Sequence, residues 1–374
     1  MMSRRTSFLC LAILAGTLLT GSAAVGGITT RAALPDRLTD AAFWSLVGDI
    51  SEPGGSFRIA DNFTSNEPEV ALISGMLRER RVQGGVYLGV GPEQNFTYIA
   101  AIRPAMAFIV DIRRQAVMQH LLFKAAFELA ADRADFISLV FAKPRPDGVD
   151  TTTPIQRLWE MFAAVGTDQR LVTKNHKTLF DQLKVTHHFA FTPDEEAQLE
   201  WVFQAFVTHG PAISTRGAPG GRGGGNGTTF ADLTGWSLDA AGQPQSFLAT
   251  DEQFRTVKAL HERNLIVPVS GDFGGTKALR RIAAYLKAQG GVVSAFYLSN
   301  VEQYLFQDGK EGAFYDNVAA LPTTTSSVFI RPYSLRRGTS APQPLCPIAA
   351  FIQAVGDGRV KSNNDALGCA ASLN

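Results

Sequence analysis

The chain holds 374 residues, 45% of them hydrophobic and 18% charged, with a formal net charge of +1. Length and composition allow one large globular domain or two ordinary ones with a sizeable core. No long run of one sign is present, so the basic face that a nucleic-acid partner needs is lacking.

Arg4 and Arg5 precede an apolar run from Phe8 to Leu19, and Ser22-Ala23-Ala24 follows. That is the three-part layout of a secretory signal peptide, residues 1–24, with an apolar core short for a membrane span. Cleavage after Ala24 makes the protein periplasmic or extracellular, whereas an uncleaved segment would anchor it at a membrane. Ser7-Phe8-Leu9-Cys10 lacks the small residue expected just before a lipidated cysteine. Removing the segment leaves Cys346 and Cys369, an even count that predicts a disulfide in an exported protein.

Residues 25–56 read as a leader and a first helix begun at Thr39-Asp40. Residues 57–66 are polar and irregular, and Glu67 to Val82 is an amphipathic helix through Val70, Ile73, Met76 and Leu77. A strand Val86–Val90 runs into a glycine turn, a helix from Phe96 stops before Pro104, and a strand Phe108–Asp111 follows. Residues 115–250 read as helices, among them one from Asp194 to Val207 announced by Thr192-Pro193 and three acids. Residues 216–227 are so rich in glycine that a mobile loop is expected. Strands resume at Leu265–Val269, Val292–Leu298 and Ser326–Ile330, with helices between them. The expected fold is α/β, a doubly wound, mostly parallel sheet over residues 57–335 with a helical insertion after the second strand. Residues 336–374 form a tail carrying the disulfide.

Polar or glycine-rich groups stand at the carboxyl ends of four strands: Gly89-Val90-Gly91, Asp111, Gly271-Asp272 and Ser299-Asn300. In an open parallel sheet that edge holds the ligand. Glycines admit a close ligand, and an acid twenty residues after Gly91 can accept ribose hydroxyls. Tyr297, Asn300 and Glu302 lie at or just beyond the fourth strand and could orient or deprotonate a substrate. Arg113 and Arg114 read either as anion binders or as a solvated helix start. His187-His188 lacks the spacing of a metal pair, and no metal site, nucleophile elbow or phosphate loop is found.

The segments Tyr87–Tyr98, Phe108–Gln115, Val267–Gly275 and Ala295–Tyr304 resemble an uncharacterised bacterial family. That family is placed with the class I S-adenosylmethionine-dependent methyltransferase-like, Rossmann folds, and the resemblance covers roughly residues 60–335. It implies that Gly89 and Gly91 approach the methionyl part of S-adenosylmethionine, that Asp111 holds the ribose, and that Asp272 lies near the adenine amine. It places Asn300 where the methyl acceptor is oriented. The usual acid-led glycine loop is reduced here to Leu88-Gly-Val-Gly-Pro-Glu93, with Glu93 a stand-in for the missing acid. The expected function is binding of this cofactor or a related nucleoside, with methyl transfer to an acceptor. A non-catalytic extracytoplasmic module that binds another small molecule or a protein is the alternative.

Overall fold

A computed structural model describes residues 33–57, 62–215, 228–332, 343–369 and 373. The expected signal peptide, most of the leader and the glycine-rich loop 216–227 lie outside the described residues.

Six strands form one sheet: β1 Val86–Gly89, β2 Met106–Asp111, β3 Ile266–Ser270, β4 Val293–Tyr297, β5 Thr323–Ile330 and β6 Leu345–Pro347. Their order is β3-β2-β1-β4-β5-β6, parallel except for β6, which runs antiparallel to β5. Every residue of β1, β2 and β3 is buried. Such continuous apolar runs are what a parallel sheet flanked by helices requires. The architecture is therefore α/β and compatible with a Rossmann-like fold. The chain lays β2 and β3 on one side of β1, then returns to lay β4 and β5 on the other. The reversal falls between β1 and β4, and parallel pairing brings the tips of β1 to β5 to one edge.

Between β2 and β3 the described chain is helical, including Arg114–Leu129, Arg133–Phe141, Pro193–His209 and Asp251–Glu262. Thr192 and Glu195 close a reciprocal capping box at the start of Pro193–His209, satisfying N–H groups that the helix itself cannot. Phenylalanines bind these helices together. Phe127 lies 4.5 Å from Phe136 and 5.3 Å from Phe254 between ring centres, and Phe96 of the helix Gln94–Ile102 joins at 5.2 Å. Each such pair adds about 1 kcal/mol beyond its buried area.

The expected disulfide forms, and the structure adds detail to the tail and to His187. The tail supplies β6 and the helix Ile348–Gly356, whose Phe351 packs on Phe329 of β5. Cys346 and Cys369 are joined in a disulfide, Cα atoms 5.8 Å apart, which in the loop-entropy view stabilises by about 3 kcal/mol. His187 follows a π-helical turn, Gln182–Thr186. Its Nε2 meets Glu128 Oε2 at 2.6 Å and its Nδ1 lies 2.9 Å from Asp40.

Candidate functional site

The chain before the sheet sets one wall of the site. Residues 51–57 cross the tips of β2 and β3 as a strap: Glu52 N–H donates to Ser270 O at 2.8 Å, and Gly55 N–H donates to Ile112 O at 2.7 Å. A Cβ on Gly54 would lie 2.8 Å from Arg114 Cβ, so only glycine lets the strap settle there. The Glu52 carboxylate accepts from the backbone N–H groups of Asp272, Lys277 and Ala278 at 2.8–3.1 Å. It thereby satisfies the start of the helix Ala278–Ala288.

Beneath the strap a cavity of about 220 Å³ opens at the strand tips. Gly91, Asp111, Asp272 and Asn300, expected at the site from four separate strand ends, all line it. Apolar side chains share the lining, among them Phe57, Ile112, Phe273 and Val301, and Phe57 meets Tyr304 edge-on at 4.8 Å. A few polar groups on an apolar wall suit a flat organic ligand.

The glycine turn is held from inside. Asn95 Nδ2 donates to the carbonyls of Val90, Gly91 and Pro92 at 2.9, 3.1 and 2.7 Å, and Tyr87 Oη donates to Asn95 Oδ1 at 2.8 Å. His120 Nε2 donates to Gly91 O at 2.9 Å. Burial brings the His120 ring down to about 4, so it is neutral and carries its proton on the nitrogen facing that carbonyl. Gly91 itself has a φ of 76° and lines the cavity.

Four expected site residues sit elsewhere. Gly89 is closed off, because a Cβ there would fall 2.0 Å from Asn95 Oδ1; it serves the packing of the turn. Glu93 is buried against the segment before the first sheet helix, accepting from Thr64 Oγ1 and from Ser65 N–H at 3.2 Å. Burial raises its carboxyl to about 7, and Oε2 has no partner. Tyr297 is fully buried and accepts from Gln94 Nε2 at 3.0 Å. Glu302 turns away onto Arg331 and Tyr315. None of the four lines the cavity.

Arg113 is not a solvated helix start, and it lines the cavity. It is 6% exposed and clamps Asp111: its backbone N–H and Nε donate to Oδ1 at 2.9 and 3.1 Å, and NH2 donates to Oδ2 at 2.9 Å. A carboxylate offers about four acceptor positions, so one on Oδ2 is left for a ligand hydroxyl. Asp272 is also engaged, with Gly274 N–H on Oδ1 at 2.9 Å and Lys310 Nζ on Oδ2 at 2.7 Å. The acids at these tips thus keep room for single hydrogen bonds from a sugar or a base, with their orientation fixed by basic neighbours. Lys310 also lines the cavity.

Residues from the polar run after the strap complete the lining: Asn62, Ser65 and Asn66. Ser299 joins them from the β4 tip, and its hydroxyl donates to buried Glu67 at 2.6 Å. The sequence carried one signal of this, a stretch of Asn, Thr and Ser too polar for the core.

A family model described as a domain of unknown function (DUF7790) matches residues 62–191 and 235–351, which include all six strands. No curated protein matches the chain.

Proposed function

The chain belongs to that family, and we propose that its strand-tip cleft binds S-adenosylmethionine or a related nucleoside, with transfer of a methyl group as the reaction. One observation carries the reading: a glycine turn after β1, an acid ending β2 and an asparagine after β4 line a single cavity at the point where strand order reverses. That is where open α/β sheets take their ligands. Asp111 would accept from a ribose hydroxyl and Asp272 from an exocyclic amine, with Gly91 close to the remainder of the ligand. Asn300 would face the acceptor. Export through the N-terminal segment belongs to the same proposal, and the Cys346–Cys369 disulfide supports it, because such bonds persist in oxidising compartments.

Calorimetry with S-adenosylmethionine and S-adenosylhomocysteine tests the reading. Both should bind, and Asp111→Asn should weaken both by about ten- to a hundredfold, the worth of a hydrogen bond to a charged group. No heat at millimolar ligand would sink it.

A second reading is favoured by the Arg113 clamp, which occupies both oxygens of Asp111. A non-catalytic extracytoplasmic module that binds a different small molecule would have no need of a free diol acceptor.

A further inference from the structure

Ser299 stands where β4 ends, with its backbone in the left-handed region at a φ of 47°. A serine held there costs about 1 kcal/mol or more, and such positions persist where the surroundings over-determine them. What holds it is the 2.6 Å hydrogen bond from its hydroxyl to Glu67 Oε1. Ser299 also lines the cavity, beside Asn300 and opposite the run that carries Ser65 and Asn66. Its hydroxyl therefore spends its proton on Glu67, with the buried Tyr297 hydroxyl also beside it.

Glu67 is buried, its Oε2 has no partner, and it forms no ion pair among the described residues. The groups facing it are hydroxyls and one acid: Tyr87 from β1, Tyr98 from the helix Gln94–Ile102, Tyr297 from β4, Ser299 just after it, and Glu69 from its own segment. Among the described residues, no cation stabilises its charge. Burial raises its carboxyl above the ordinary carboxylate range, Glu69 adds to this, and the Ser299 and Tyr297 hydroxyls oppose it. A carboxyl with no cation beside it gains and loses a proton according to what enters the cleft.

We propose that Ser299 and Glu67 form the proton-accepting pair of the cleft, serving an acceptor that carries a hydroxyl or an amine. This rests on the nucleoside reading. Ser299 touches the acceptor and Glu67 acts through it as a positioning residue. As the acceptor's proton moves to Ser299 Oγ, the Ser299 proton moves to Glu67 Oε1, leaving a neutral carboxylic acid. The acceptor's freed pair forms the new bond to carbon. A bound sulfonium donor would supply that carbon, its carbon–sulfur bond breaking with the pair left on sulfur as a thioether. Charge balances, since one carboxylate and one sulfonium are both neutralised.

The pair predicts a signature that needs no acceptor. A sulfonium in the cleft favours ionised Glu67, whereas the neutral thioether does not. Calorimetric titrations of the mature protein at pH 7 in phosphate and in Tris report protons released on binding. S-Adenosylmethionine should release more than S-adenosylhomocysteine, which lacks only the charged methyl, and Glu67→Gln should abolish the difference while both ligands still bind. The parent protein alone gives the first comparison, so a poorly folding variant does not block the test. Equal release by the two ligands, or a difference that survives Glu67→Gln, overturns the proton pair and leaves the nucleoside reading standing. Failure of both ligands to bind overturns the two together.

Discussion

Two buried glutamates lie on either side of the β4 tip, and their surroundings differ in kind. Glu302 is enclosed with a cation: Arg331 reaches it through Nε and NH2 at 2.6 and 2.9 Å, and Tyr315 donates at 2.9 Å. The guanidinium also rests 4.6 and 4.2 Å from the ring centres of Phe329 and Phe351. Glu67 is enclosed with hydroxyls, and one of its oxygens has no partner. A buried charge with its counter-ion is committed to one state, and its role is to join the sheet to the C-terminal helix. A buried acid without one stays open to proton exchange. Position after a strand thus says little about an acid's role, and the company it keeps inside says more.

The contrast is sharpened most by Glu302→Ala. Arg331 is fully buried, and stranding it should cost about 3–5 kcal/mol in urea unfolding. A variant within about 1 kcal/mol of the parent would break the contrast at its stronger end.

Glu93 belongs with Glu67, and its pH dependence gives the next effect. Its carboxyl is raised from the ordinary 4.5 to about 7 by burial, against the hydrogen bonds from Thr64 and Ser65. Below the unfolded value both states hold the proton. Between 4.5 and about 7 the unfolded chain releases it while the folded chain keeps it, so stability falls as pH rises through that window, by on the order of 3 kcal/mol. Glu93→Gln should remove that part of the slope in melts compared between pH 5 and pH 8. Parallel slopes for parent and variant would show that Glu93 is not the group responsible.

The smallest effect is expected for Glu67→Gln. With no cation to strand among the described residues, its stability should stay within about 1 kcal/mol of the parent. A loss as large as that of Glu302→Ala would make the two glutamates alike.

Much of the sheet was legible because buried parallel strands are unbroken apolar runs, as Phe108-Ile109-Val110 shows. The first half of β5 was not, since Thr323 to Ser326 are polar and mostly exposed. β6 is three residues long and contains a proline, too little for a pattern. At the site, Gly91, Asp111, Asp272 and Asn300 were legible because topology alone sends strand tips to one edge. Tyr297 and Glu302 misled because the direction of a side chain depends on partners far along the chain, Gln94 for the first and Arg331 for the second. The strap, the Asn62–Asn66 run and Glu67 were hidden for a related reason: their pairing with β2, β3 and β4 is long-range and leaves no local spacing. Arg113 lies two residues from the acid it clamps, yet only the fold shows that both are buried.

A crystal structure grown with S-adenosylhomocysteine tests the central claim most directly. The account predicts the nucleoside between Gly91, Asp111, Asp272 and Asn300, with a ribose hydroxyl on Asp111 Oδ2 and its sulfur toward Ser299. A ligand seated anywhere else, or a strand-tip cavity left to solvent at saturating ligand, would contradict it.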